Sequence, residues 1–143
     1  QKTAYEIPKR DWSSDVCSSD LEVSLRIGAP AGHELANRLT TMGVSYLDVQ
    51  AHTGSLSTVY ADRVKTLARN SGGDSVGILA YAIAHEIGHL LLGTNRHADT
   101  GLMRAAWTRD EVRRKSESDW IFSDAEALAM RVAVDARSTG SLN

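Results

Sequence analysis

Cysteine is nearly missing from this chain: Cys17 is the single one in 143 residues. A disulfide framework and a multi-thiolate metal site are therefore excluded, and any metal must be held by nitrogen and oxygen donors. Charge of one sign is equally scarce. Lysine and arginine number 16 against 18 acidic residues, a net charge of −2, which leaves no basic footprint for nucleic acid or an anionic lipid surface. No apolar run reaches the length a membrane span needs, and no internal repeat is visible. These absences lead us to expect one small monomeric domain that engages neither nucleic acid nor membrane.

The first 21 residues stand apart. The run Asp11-Trp12-Ser13-Ser14-Asp15-Val16-Cys17-Ser18-Ser19-Asp20-Leu21 resembles, residue for residue, the translation of a common sequencing adapter. It is expected to be an assembly scar, with residues 1–10 of uncertain origin and the natural N-terminus missing. Residues 22–143 are then a single domain without cysteine, and cysteine usage gives no compartment.

From Glu22 the pattern is strand, helix or loop, strand, strand, helix. Glu22 to Ile27 alternates polar and apolar residues, the period of a half-buried strand, and stops at Gly28 and Pro30. Residues 32–42 read as a short helix or an ordered loop. Gly43 to Val49 and Ser57 to Ala61 read as strands on either side of a Thr53-Gly54-Ser55 turn, which makes the sheet at least partly antiparallel. Asp62 to Arg69 reads as a helix, with Val64, Leu67 and Ala68 on one side. A longer helix is expected from about Ser75 to Leu92, capped by Asp74 or Ser75 and closed by Gly93 in the left-handed region.

Two capping boxes, Thr108 to Glu111 and Ser123 to Glu126, announce C-terminal helices. The first is short, with Arg113-Arg114-Lys115 as a solvated face. The second runs from Asp124 to Arg137, with Ala127, Leu128, Met130, Val132 and Val134 as its packing surface. The predicted class is α+β, a small mixed β-sheet packed on a long active-site helix followed by C-terminal helices.

The chemistry concentrates in Ala84-His85-Glu86-Ile87-Gly88-His89. At 3.6 residues per turn, His85 and His89 lie about one turn apart on one helical face, so both imidazoles can reach one ion. Glu86, beside the first histidine, is placed to act as a general base on water held there. Two helical zinc ligands and a base are what the His-Glu-x-x-His spacing supplies. A buried core helix has no other need for two histidines and a glutamate, because such groups are rarely buried unless paired or metal-bound.

Beyond the motif come Gly93, His97 and then Met103 within Ala98 to Trp107. Over about Ile83 to Met103 this succession resembles the metzincin zinc endopeptidases. The resemblance implies that His97 joins His85 and His89 as the third ligand of one catalytic Zn2+ ion, that Glu86 is the catalytic base, and that Met103 forms a turn beneath the metal. It also implies a zincin-like fold and hydrolysis of peptide bonds in a peptide or protein substrate. By the same likeness, that substrate would lie extended along Ser57 to Tyr60 through strand addition. The spacing departs from the family pattern, which puts the glycine three and the histidine six residues after the second ligand. Here they stand at four and eight, and position six is Asn95.

Other third ligands therefore stay open. Asp99 is the nearest substitute. Glu126 on the last helix is the choice of a Glu-zincin, and the His-Glu-x-Gly-His sequence with its leucine run also resembles the ImmA/IrrE-like regulatory peptidases. The bland reading of Glu126 is a capping-box residue. A third possibility is a zinc-binding interaction module without catalysis. His33 and His52, upstream in polar surroundings, read as surface residues.

Overall fold

The computed structural model describes Ala4 and Tyr5, residues 23–28 and residues 41–140. Four strands, β1 (Ala4–Tyr5), β2 (Ser24–Gly28), β3 (Gly43–Asp48) and β4 (Thr53–Tyr60), form one sheet in the order β1-β3-β4-β2. β3 and β4 are an antiparallel hairpin, whereas β1 runs parallel to β3 and β2 parallel to β4. Among the described residues the helices are α1 (Ala61–Ser71), α2 (Ser75–Leu92), α3 (Arg109–Arg114) and α4 (Asp124–Gly140), with a short 3-10 turn at Glu117–Asp119. A small mixed sheet against a long helix is thus the architecture. The reading of residues 32–40 and His33 lies outside the described residues, as does the adapter-like run.

Helix α2 has the bounds its end signals predict. The Asp74 carboxylate accepts from the Val76 and Gly77 N–H groups, and Gly93 closes the last turn at φ 60°. One face, with Ile78, Ala82 and Leu90 buried, packs on β3 and β4. Its 18 residues, mean hydropathy 1.4, are by length and composition enough to cross a membrane, which corrects the expectation that no apolar run is that long. The helix instead lies against the sheet as the domain's core, carrying His85, Glu86 and His89 in buried positions.

The β3–β4 connection is earlier than the glycine suggested. Asp48 Oδ1 accepts from the backbone N–H groups of Gln50 and Ala51, and this carboxylate-organised turn, followed by His52 at φ 52°, reverses the chain before Thr53. Thr53-Gly54-Ser55 belongs to β4, not to a turn. Gly54 is there for close packing, since a Cβ would stand 2.5 Å from Leu47 Cδ2 and 2.8 Å from Leu90 Cδ2. His52 is exposed, as its setting predicts.

The packing surface of α4 also differs from expectation. Met130 is buried and Ala127 partly so, but Leu128, Val132 and Val134 are exposed at 58%, 60% and 43%. The buried stripe follows the helical period through Glu126, Ala127, Met130, Ala133 and Arg137. Leu128 and Val132 fall on the other side of the helix. Arg137 fastens that stripe to α2 and the sheet, donating to the carbonyls of Leu90 (2.9 Å) and Gly54 (3.1 Å).

Candidate metal centre

Three imidazoles converge at the C-terminal end of α2. The ring nitrogens available for ligation on His85, His89 and His97 lie within 4.8 Å of one another, close enough to hold one metal ion. His85 and His89 come from the same helical face, with Nε2 atoms 3.1 Å apart. Two nitrogens bound at about 2.0–2.1 Å to one tetrahedral ion stand about 3.3 Å apart, so the helical pair already has a ligand spacing. His97 arrives by a switchback. Gly93 takes the left-handed conformation, and a Cβ there would be 2.0 Å from the His52 carbonyl oxygen, so only glycine lets the helix end against the hairpin. The chain then runs without helix through Thr94 to His97, whose ring stacks 5.4 Å from His85 and stands edge-on 4.9 Å from His89.

Both helical rings are aimed by backbone carbonyls. His85 Nδ1 is 2.8 Å from the Leu102 oxygen, and His89 Nδ1 is 2.7 Å from the Thr94 oxygen. A carbonyl only accepts, so each Nδ1 carries the proton and each Nε2 keeps a bare lone pair. Two lone pairs facing each other at 3.1 Å repel unless a cation stands between them. Burial pushes the two rings down to about 4 for His85 and about 3 for His89, so a proton is not that cation near neutral pH. Burial lowers His97 as well. The donor set suits a borderline-soft divalent ion and lacks the oxygen cage of calcium or magnesium.

Glu86 points to the sheet side of the same helix. It is 3% exposed, and its Oε2 accepts from the Ser45 hydroxyl at 2.6 Å. Burial raises the carboxyl to about 8 against the opposing pull of that hydrogen bond. Glu86 and His85 share the wall of a cleft of about 380 Å³, with Gly43, Arg63, Asn70 and Trp107 among its other walls. Trp107 stands edge-on to His85 at 5.9 Å, and its Nε1 is the one buried side-chain polar atom without a partner among the described residues.

Met103 is buried beneath α2. A Cβ on Gly88, between the two histidines, would lie 2.6 Å from its sulfur, so the glycine of the motif is what admits the methionine. The turn holding Met103 is tied at each side: the Ala98 N–H donates to the Met103 carbonyl at 2.9 Å, and the Leu102 N–H to the Ile121 carbonyl at 2.9 Å. Arg104 locks its exit, donating to the carbonyls of Gly101 and Asp119 and pairing with Glu111.

The other candidates sit elsewhere. Asp99 is exposed and outside the cluster. The Glu126 carboxylate accepts from the Ser123 N–H at 2.7 Å while its own N–H donates to Ser123 Oγ at 3.2 Å, a capping box and no part of the metal cluster. The strand proposed to receive substrate has no free edge, because Leu56 to Tyr60 pairs with β2 while Leu56 to Val59 also pairs with β3. Sequence reasoning missed Ser45 and Ser57. Their signal was there: each is a hydroxyl two residues from a buried apolar residue, Leu47 or Val59, and so on the same strand face.

No protein-family model matches the chain, and neither a curated protein nor a solved structure matches it, so the side-chain geometry alone carries the functional argument.

Proposed function

We propose that this domain is a zinc-dependent endopeptidase of metzincin-like, zincin-type organisation, with His85, His89 and His97 as ligands and Glu86 as the general base. The observation that supports it is the pair of Nε2 atoms 3.1 Å apart, each ring fixed through Nδ1 by a backbone carbonyl. Such outer hydrogen bonds set ring tautomer and direction at metal-ligating histidines. A structural zinc site is closed by four protein ligands, whereas three leave a position open for chemistry. A buried glutamate next to the first ligand fits that second use.

When bound, zinc supplies a Lewis acid that polarises a carbonyl and makes water acidic near neutral pH. The chain's own residues do the rest. Glu86 Oε2 is anchored to Ser45, and the carboxyl lies on the cleft wall beside His85, where it can take a proton from the attacking water and pass it to the leaving amine. Met103 and the Leu102 carbonyl hold the floor and the orientation of His85. The cleft between α1, α2 and the 104–109 loop is where a peptide would lie, in place of the occupied β4 edge.

Metal analysis and peptide hydrolysis together test this reading. Purified protein should hold one zinc per chain, and His85→Ala or His89→Ala should abolish it. Glu86→Gln keeps size and hydrogen bonding but removes the base, so cleavage of a peptide library should fall by about 10²–10⁴-fold or more with zinc retained. Full zinc occupancy in either histidine variant, or undiminished cleavage by Glu86→Gln, overturns the assignment.

A further inference from the structure

Ser45 and Ser57 are the register partners of adjacent strands β3 and β4, and both are 0% exposed. Each shares a strand face with Leu47 or Val59, where apolar side chains would be expected. The two hydroxyls are 2.6 Å apart. Ser45 Oγ is also 2.6 Å from Glu86 Oε2 and 3.0 Å from the Glu86 carbonyl oxygen, while Ser57 Oγ is 3.4 Å from that carbonyl. A hydroxyl has one hydrogen to give. The two 2.6 Å contacts are satisfied together when Ser57 donates to Ser45 and Ser45 donates to Glu86 Oε2, which leaves the Glu86 carbonyl as a 3.0 Å neighbour of Ser45.

The other oxygen of the carboxyl is bounded differently. A methyl group on Gly43 would stand 2.7 Å from Glu86 Oε1 and 2.8 Å from its Cγ, so the carboxyl occupies the space a side chain would take at this strand position. Gly43 and Glu86 both wall the cleft. One oxygen is therefore held by a hydroxyl, and the other lies against Gly43, which like Glu86 lines the cleft.

We propose that Ser45 is the positioning residue for Glu86: its buried hydroxyl, backed by Ser57, fixes Oε2 and thereby presents Oε1 to the cleft at Gly43. This rests on the reading of Glu86 as base. Without the hydroxyl the carboxyl would leave its slot, and a misplacement of about 1 Å in a reacting group costs on the order of 10²-fold in rate. His85 and His89 are oriented by the Leu102 and Thr94 carbonyls and not by Ser45, so metal binding does not depend on Ser45.

The test compares Ser45→Ala, Ser45→Thr and Ser57→Ala in the full chain. Ser45→Ala should lower kcat by about 10–100-fold with KM and zinc affinity unchanged. Ser45→Thr keeps the hydroxyl and should restore most of kcat. Ser57→Ala leaves the Ser45–Glu86 bond in place and should lose little. A crystal structure of Ser45→Ala, independent of activity, should show the Glu86 carboxyl displaced from Gly43. A carboxyl that stays in place, or a loss of kcat matched by equal losses in zinc affinity and thermal stability, overturns the positioning role. Unmodified protein that binds zinc but cuts no peptide overturns the peptidase reading instead.

Discussion

Metal-free protein should have a stability that peaks near pH 6.5, with His85, His89 and His97 shaping the acid side and Glu86 the alkaline side. His85 and His89 have folded pKa values of about 4 and about 3 against 6.5 unfolded, and Glu86 of about 8 against 4.5. The histidine contribution is complete above the unfolded value and is lost as pH falls, because the unfolded chain then takes up protons the fold refuses. Glu86 has the opposite sign: its contribution is complete below pH 4.5 and is lost as pH rises through about 8. Between pH 4.5 and 6.5 the unfolded chain holds extra protons on His85, His89 and His97 and lacks one on Glu86, so stability rises with pH. From pH 6.5 to 8 only Glu86 counts, and about 2 kcal/mol is lost. Urea unfolding of chelator-treated protein at intervals from pH 4.5 to 8.5, followed by tryptophan fluorescence, reads this curve directly. Glu86→Gln removes the titrating group, and its alkaline limb should be flat. A wild-type curve that is level or rising between pH 6.5 and 8 would refute a raised Glu86 pKa in the metal-free protein.

Three further outcomes follow from the geometry. His97→Ala should weaken zinc binding by more than the roughly 10–100-fold that loss of an outer-shell partner costs, while Asp99→Ala and Glu126→Ala leave it unchanged; competition with a chromophoric chelator measures all three. Gly93→Ala should cost more in urea denaturation than Gly72→Ala. Both residues have positive φ and bear the left-handed penalty of about 1–2 kcal/mol, but a Cβ at Gly72 meets nothing within 4 Å, whereas at Gly93 it strikes the His52 carbonyl. Met103→Ala should destabilise by about 2–5 kcal/mol and Met103→Leu by less than about 1.5 kcal/mol, as calorimetry of the two variants would show.

The helical part of the site was legible because its code is local. Asp74, Gly93 and the four-residue histidine spacing each act within a turn or two of α2, and the structure places all three as read. Both C-terminal capping boxes were legible for the same reason. His97 was nameable, but its two-residue excess could not be judged until the course from Gly93 to the Ala98–Met103 hydrogen bond was known. The turn at Asp48 was hidden because Gly54 looked like the stronger turn residue, although its role is contact with Leu47 and Leu90. On α4, residue type pointed to Leu128 and Val132, and only the 3.6-residue period through Met130 and Arg137 identifies the inward stripe. The Ser45–Ser57–Glu86 contact joins residues 12 to 41 positions apart, and no local rule reaches that far.

The carbonyls that aim His85 and His89 belong to Leu102 and Thr94, which follow the helix in the chain. The helix therefore carries these two rings without setting their direction. In a peptide of residues 75–92 both imidazoles would rotate freely, and chelation would have to freeze them at its own entropic cost. A single proteolytic nick between residues 94 and 102 would loosen the site while leaving the helical pair intact.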